Sequence, residues 1–117
     1  MKDDKFEGKG IYYYHNKGNR YEGDFKNHLR EGKGIYYYKS GDRYEGNLIK
    51  DKREGKGIFY YKNDDRYEGD WKNNSIEGQG IAYFKNGDRE MGDYLNRKPF
   101  GKHVILHANG SITTNNY

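Results

Sequence analysis

The sequence predicts an all-β protein of about ten short antiparallel strands in one continuous sheet. Three observations support this. A 23-residue pattern recurs along the chain, each copy holds two short stretches rich in aromatic and β-branched residues, and no segment shows a sustained helical period. Because short turn-like segments join neighbouring stretches, we expect the strands to pair as hairpins.

The 23-residue pattern occurs in three consecutive copies that align without a gap. A partial copy precedes them, with one extra residue in its turn, and a degraded copy follows. We therefore expect one domain over residues 1–117. Its expected divisions are a half copy at 6–20, full copies at 21–43, 44–66 and 67–89, a degraded capping copy at 90–112, and a tail at 113–117.

Two kinds of connection join the strand-like stretches. Asn, Asp and Gly cluster in one kind, as at Ser40–Asp42, and this predicts a tight turn. The other kind, as at Lys26–Arg30, is predicted to be longer and is rich in Lys and Arg. These basic connections are expected along one edge of the sheet.

Composition limits the class of protein. The net charge is +4 and there is no cysteine, so neither a disulfide framework nor a cysteine-based metal site is indicated. Only 32% of residues are hydrophobic, but 17 glycines and 14 tyrosines suit a thin sheet better than a disordered chain. No apolar run approaches the roughly 20 residues of a membrane-spanning helix. Basic and acidic residues are intermixed, so we expect no nucleic-acid binding.

Side chains alternate between the faces of a strand, so the repeat predicts two different faces. On the first, the aromatic face, rings alternate with glycines, and each glycine leaves room for a ring from the neighbouring strand. The candidate groove on this face comprises Tyr21, Phe25, Tyr36, Tyr44, Phe59, Tyr67, Trp71 and Phe84. The second, the Ile–Tyr face, carries Ile11, Tyr13, Ile35, Tyr37, Ile58, Tyr60, Ile81 and Tyr83.

The segments YEGDFKN and GKGIYYY, spaced within a 23-residue period, closely resemble the MORN (membrane occupation and recognition nexus) repeat from residue 6 to about 112. The resemblance implies an elongated, single-layer, twisted antiparallel sheet of stacked hairpins. It also implies a scaffold role, since members of the family occur in cytoskeletal and ciliary assemblies and at membrane junctions. In some members a partner helix lies in the groove of the sheet.

The last copy departs from this pattern. Glu90-Met91 replaces Tyr-Glu, and His103 replaces the second glycine, as is usual in a terminal repeat. His103 and His107 are four residues apart, which on a strand is about 13 Å and too far to share a metal ion. Acidic residues recur once per copy, which favours structural roles. We therefore expect no enzyme, and no catalytic residue, metal site or cofactor.

A single-layer sheet leaves at least one face for solvent or a partner, and a large apolar surface usually marks an interaction site. We expect the Ile–Tyr face to bind a protein partner or a second copy of the chain, with the aromatic groove as the alternative. The expected location is cytoplasmic, with a cytoskeletal or ciliary assembly implied by the family.

A different hypothesis is peripheral binding to anionic membrane lipid. Each basic residue close to an anionic surface contributes about 1 kcal/mol. The candidate residues lie in or beside the basic connections: Lys26, Arg30, Lys50, Lys52, Arg53, Lys72, Arg97 and Lys98.

Overall fold

In the computed structural model, residues 8–14 and 18–117 are described, and they form one antiparallel sheet of ten strands. The strands lie in the sheet in the same order as along the chain, and the molecule measures 59 × 23 × 20 Å. The predicted elongated single layer of stacked hairpins is confirmed. The strands are β1 Gly8–Tyr14, β2 Asn19–Lys26, β3 Leu29–Tyr37, β4 Arg43–Ile49, β5 Lys52–Tyr60, β6 Arg66–Lys72, β7 Ser75–Tyr83, β8 Arg89–Leu95, β9 Lys98–Leu106 and β10 Ile112–Asn116.

The predicted half copy at residues 6–20 is only partly described. Its strand β1 pairs with β2 in the register of the later copies, with Gly10 opposite Gly23 and Tyr12 opposite Tyr21. Residues 6, 7 and 15–17, which include its longer turn, lie outside the described residues.

The connections differ in length from the sequence expectation. The basic connections are two-residue turns in which both residues have positive φ, between 48° and 73°. This is the type I′ geometry, which matches the twist of the flanking strands. The prediction of a longer connection is wrong, because strand pairing continues through the flanking basic residues, as from Ile49 to Lys52. The turns rich in Asn, Asp and Gly are the longer ones, as between β3 and β4 at residues 38–42.

Hydrogen bonds along both edges join neighbouring copies. At one edge, the backbone N–H of Lys62 donates to Asp42 Oδ1 and that of Lys85 donates to Asp65 Oδ1, each at 2.8 Å. At the other edge, the backbone N–H of Asp51 donates to the carbonyl oxygen of Arg30 in the preceding copy at 2.9 Å. The periodic acidic residues Asp42 and Asp65 therefore have structural partners.

Tyrosine rings that lie against glycines form the core of the sheet. Glycines pair across neighbouring strands, as Gly34 with Gly46 and Gly46 with Gly57. The Tyr44 ring lies over Gly57, so close that a methyl group added there would overlap the ring. Its hydroxyl donates to the Asn47 carbonyl oxygen at 2.9 Å, and Tyr44 is fully buried. The same contact recurs between Tyr21 and Gly34 and between Tyr67 and Gly80.

The last copy keeps this packing but takes the ring from the other strand. Glu90 stands where the earlier copies have the core tyrosine, and the His103 imidazole lies over Gly92. Nε2 of His103 donates to the Asp93 carbonyl oxygen at 2.8 Å, as the tyrosine hydroxyls do in earlier copies. Nδ1 lies 2.9 Å from the Glu90 carboxylate, outside hydrogen-bond geometry. The two departures at positions 90 and 103 are therefore one compensating exchange.

Because of the tyrosine–glycine contact, even one methyl group added to a core glycine should destabilise the protein substantially. Gly57→Ala should lower the free energy of unfolding by about 1–3 kcal/mol, because the methyl group overlaps the Tyr44 ring. The matched control is Gly10→Ala, at the same position of the first copy. A Cβ there meets Phe25 Cε1 at an ordinary 3.7 Å, so stability should change by less than about 0.5 kcal/mol. Urea unfolding followed by Trp71 fluorescence measures both, and equal losses would contradict this core.

A double-mutant cycle tests the exchange in the last copy. Glu90→Tyr alone crowds the space held by His103, and His103→Gly alone empties it. Each change should destabilise the protein by about 2 kcal/mol. The double variant restores the tyrosine–glycine pair, so its loss should be smaller than the sum of the single losses by more than about 1 kcal/mol. Additive losses in urea unfolding would show that the two positions are independent.

Candidate functional site

The aromatic face has a buried inner layer and a partly exposed outer row. The inner layer consists of residues that are at most 9% exposed: Tyr21, Phe25, Tyr44, Leu48, Tyr67 and Trp71. Successive rings of the outer row have centroids 4.7 to 5.7 Å apart, within the range of favourable aromatic contacts. The outer row is Tyr12, Tyr14, Tyr36, Tyr38, Phe59 and Tyr61.

The outer row changes composition toward the later copies. Ala82 stands in the third full copy at the position that Phe59 holds in the second. Phe84 corresponds to Tyr61, and these two side chains are 38% and 41% exposed. The most extensive aromatic surface therefore lies over the first half of the sheet.

Two arginine side chains lie over the rings of the aromatic face. The guanidinium carbon of Arg30 is 4.9 Å from the Tyr36 ring centroid. That of Arg53 is 4.8 Å from the Trp71 centroid and 5.7 Å from the Phe59 centroid. A cation at these distances is attracted by the face of an aromatic ring. Both arginines therefore belong to the aromatic face, although the sequence suggested only that they lie in basic connections.

The two arginines have different partners. Arg30 Nε donates to Asp51 Oδ1 at 2.9 Å and forms an ion pair with it. Arg53 meets Asn74 at the equivalent position, with Nε 3.3 Å from Oδ1 and Nη2 2.9 Å from the carbonyl oxygen. Because asparagine is neutral, the Asn74 side chain does not compensate the charge of Arg53.

Burial changes the acidity of the tyrosines on this face. It raises the pKa of Tyr21 to about 12 and that of Tyr94 to about 12. Burial also raises the pKa of Tyr44 and Tyr38, while the positive charge of Arg53 acts in the opposite direction at both. These hydroxyls are therefore protonated near neutral pH and can donate hydrogen bonds.

The Ile–Tyr face interleaves its apolar residues with charge pairs. Across strands β4 and β5, Arg43 lies opposite Tyr60 and Glu45 lies opposite Ile58. The guanidinium carbon of Arg43 is 3.8 Å from the Tyr60 ring centroid, and its Nε donates to Glu45 Oε2 at 2.9 Å. The apolar column expected from the sequence is thus broken by ionic groups. The same arrangement joins Arg20, Glu22 and Tyr37, and again Arg66, Glu68 and Tyr83.

The remaining candidates on the Ile–Tyr face differ in exposure. In β1, Ile11 is 59% exposed and Tyr13 is 67% exposed. Ile35 and Ile81 in the full copies are only half-buried, and each lies opposite a glutamate or Met91 in its neighbouring strands. The face therefore offers separate small apolar areas.

The two-residue turns form an edge that is rich in basic residues. Six of the candidate lipid contacts are exposed there: Lys26, Lys50, Lys52, Lys72, Arg97 and Lys98. Acidic residues share this edge. Glu31 accepts a hydrogen bond from the backbone N–H of Lys50 at 3.2 Å, and Glu54 accepts one from that of Asn73 at 2.8 Å.

The described residues contain neither a cluster of metal ligands nor a membrane-spanning helix. Within residues 8–14 and 18–117, no group of three or more His, Asp or Glu side chains could hold a metal ion. Over the same residues, no helix has the length and apolar character needed to span a membrane. His107 Nε2 and Thr113 Oγ1 are 2.8 Å apart, and its Nδ1 is 3.3 Å from Asp88 Oδ2.

The repeat is similar in sequence to a known family. A sequence profile of the MORN repeat matches residues 1–18, 21–43, 44–66 and 67–89, which is more than half of the chain. The chain belongs to the MORN repeat family. Residues 90–112 lie outside these matches but form the β8–β9 hairpin and continue the MORN sheet.

The MORN sheet is similar to a solved structure. This is the SAS-4 (dCPAP) TCP domain of Drosophila melanogaster, in complex with a proline-rich motif of Ana2 (dSTIL). The TM-score is 0.64 at 22% identity, over 92% of this chain and 58% of that chain. The likeness shows a shared fold, and this chain spans little more than half the length of the neighbour. A comparison with curated proteins gave no match.

The groove candidates include five of the six inner-layer residues of the MORN sheet, all but Leu48, and only Tyr36 and Phe59 of the outer row. The candidate list leaves out Tyr38 and Tyr61 of the full copies, and it also leaves out Tyr12 and Tyr14 of the half copy. Alternation could have found them, since GKGIYYY places both on the same face as Gly10. Arg30 and Arg53 are missed as groove residues because the type I′ turns are not recognised.

Proposed function

We propose that this MORN protein is a non-enzymatic interaction module whose aromatic face binds an extended, proline-rich segment of a partner protein. The observation that carries the proposal is the outer row of six partly exposed rings in continuous contact. Polyproline helices dock on aromatic-lined grooves because they are already extended and lose little conformational entropy. A proline-rich motif is also what the similar SAS-4 domain was solved with.

The sequence favours the Ile–Tyr face as the partner-binding surface, but the arrangement of that face in the structure favours the aromatic face instead. The tyrosines of its full copies are covered by arginines, as Tyr60 is by Arg43, and its isoleucines have glutamates as cross-strand neighbours. These apolar areas are small and separated, whereas a docking site for a partner usually requires a contiguous apolar patch. We therefore propose the aromatic face first, and binding of a partner or a second copy to the Ile–Tyr face remains the alternative.

The cellular setting is also a proposal. The family resemblance supports a cytoplasmic scaffold in a cytoskeletal or ciliary assembly. A fluorescent fusion in the native cell tests it, since a signal that is not cytoplasmic would contradict this setting.

Peripheral binding to anionic lipid is a second candidate function, supported by the six exposed basic residues along the edge of the two-residue turns. If it holds, vesicles containing phosphatidylserine should co-sediment the protein at low salt and release it at high salt. Replacing Lys50, Lys52 and Lys72 by Gln should abolish most of this binding. The matched control replaces Lys39, Lys62 and Lys85, which are exposed near the opposite edge, and equal losses would indicate nonspecific attraction.

Paired triple variants distinguish the two faces. Replacing Tyr14, Tyr38 and Tyr61 by Ser should weaken binding of a fluorescein-labelled oligoproline at least about tenfold in fluorescence anisotropy, because aromatic anchors dominate such contacts. The matched variant, with Ile35, Ile58 and Ile81 replaced by Ser, should bind within about twofold of the wild type. Circular dichroism and urea unfolding check that both variants fold.

Two outcomes would overturn the assignment to the aromatic face. One is loss of binding in the Ile variant but not in the Tyr variant. The other is no measurable binding of oligoproline to the wild type. A wild-type dimer in light scattering that becomes a monomer in the Ile variant would instead support self-association through the Ile–Tyr face.

A further inference from the structure

We propose that the segment bound on the aromatic face carries an acidic side chain, Asp or Glu, and that Arg53 binds its carboxylate. This inference rests on the proposed function, because it specifies the partner of the same surface. It starts from the unequal environments of Arg30 and Arg53.

Arg30 shows how the fold neutralises an arginine on this face. Its guanidinium is hydrogen-bonded to Asp51 through Nε at 2.9 Å and Nη2 at 3.2 Å. Asp51 is the second residue of a type I′ turn in the following copy, with a φ of 71°. A carboxylate at this position therefore compensates the positive charge within the chain.

Arg53 has the same backbone setting without the carboxylate. Asn74 replaces Asp51 at the equivalent turn position, with a nearly identical φ of 72°. Its side chain accepts from Arg53 Nε at 3.3 Å and its carbonyl oxygen from Nη2 at 2.9 Å. A guanidinium has five N–H groups, so these two bonds leave three of them without a bonded acceptor among residues 8–14 and 18–117. Asparagine also adds no negative charge.

Arg53 also lines a pocket on the aromatic face. Arg30 and Arg53 line it together with the hydroxyl-bearing Tyr36 and Tyr38, while the inner-layer residues Tyr44 and Leu48 also contribute. Two guanidinium groups and the single carboxylate of Asp51 give the pocket a net charge of +1. One carboxylate matches this charge, whereas a basic side chain would be repelled.

The surroundings favour a charged hydrogen bond over a nonspecific attraction. Arg53 is half-buried and lies against Trp71 and Phe59, so its guanidinium is held in place. Partial burial lowers the local dielectric and strengthens a charge pair relative to open solvent. The arginine fork can also meet both oxygens of a carboxylate. Arg53 thus adds charge selection to a surface whose rings bind extended chain.

Three fluorescein-labelled oligoprolines of equal length, with a central Gln, Glu or Lys, test the inference by fluorescence anisotropy. The wild type should bind the Glu peptide about fivefold more tightly than the Gln peptide, and the Lys peptide should bind more weakly than either. High salt should reduce this preference because the interacting charges remain partly solvated. Binding of the Gln peptide reports on the aromatic face alone.

Two variants locate the charge that selects the peptide. Asn74→Asp copies the Asp51 arrangement and keeps Arg53 in place, so it should remove the preference for Glu while the Gln peptide binds as before. Arg53→Gln should have the same effect on the preference. Arg43→Gln, which removes a comparable cation from the Ile–Tyr face, is the matched control and should retain the preference.

The outcomes separate this inference from the proposed function. Equal binding of all three peptides by the wild type would overturn the role of Arg53 and leave the aromatic face as a proline-binding surface. A preference that survives in both Asn74→Asp and Arg53→Gln would also overturn it. Failure of every peptide to bind would overturn both proposals.

Discussion

The contact between a tyrosine ring and a glycine is the interaction on which this sheet depends. A single-layer sheet has no second layer to cover its apolar side chains, so its core must be built on its own surface. Tyr44 does this by lying over Gly57 and donating its hydroxyl to the carbonyl oxygen of Asn47. Each ring depends on the glycine of the next strand, and the fold consequently propagates from copy to copy. The glycines are required here because any Cβ would occupy the space of the ring.

The last copy shows that the contact matters more than the identity of its two residues. With Glu90 in place of the tyrosine, the ring comes from His103 on the opposite strand and lies over Gly92. The carbonyl oxygen of Asp93 still accepts a hydrogen bond from the ring, through Nε2 of the imidazole. The geometry therefore requires one flat polar ring and one glycine per pair of strands, and either strand can supply the ring.

The sequence was sufficient to predict the strands, their order and the two faces, because a gapless period transfers any pattern from one copy to the next. It was not sufficient for the turns, because Lys50-Asp51 resembles an ordinary polar loop until strand pairing on both sides is known. That error also misplaces Arg53, since a two-residue turn directs this side chain over Trp71. The exchange between Glu90 and His103 is hidden for a similar reason. Two separate departures from a consensus are seen as one change only when the residues are known to be neighbours.

The division between the inner layer and the outer positions explains how such a repeat can become specific for one ligand. The tyrosine and glycine positions are constrained by packing, so they can vary little without loss of the sheet. The outer positions are not so constrained, and they differ between copies: Arg30 with Asp51, Arg53 with Asn74, and Ile76 with Arg97. These three pairs occupy the same places beside the type I′ turns. They nevertheless present a neutralised cation, a cation whose partner at the turn is a neutral asparagine, and an apolar side chain beside an exposed arginine. A ligand that crosses several copies therefore meets a different chemical environment at each one, even though the backbone beneath it repeats.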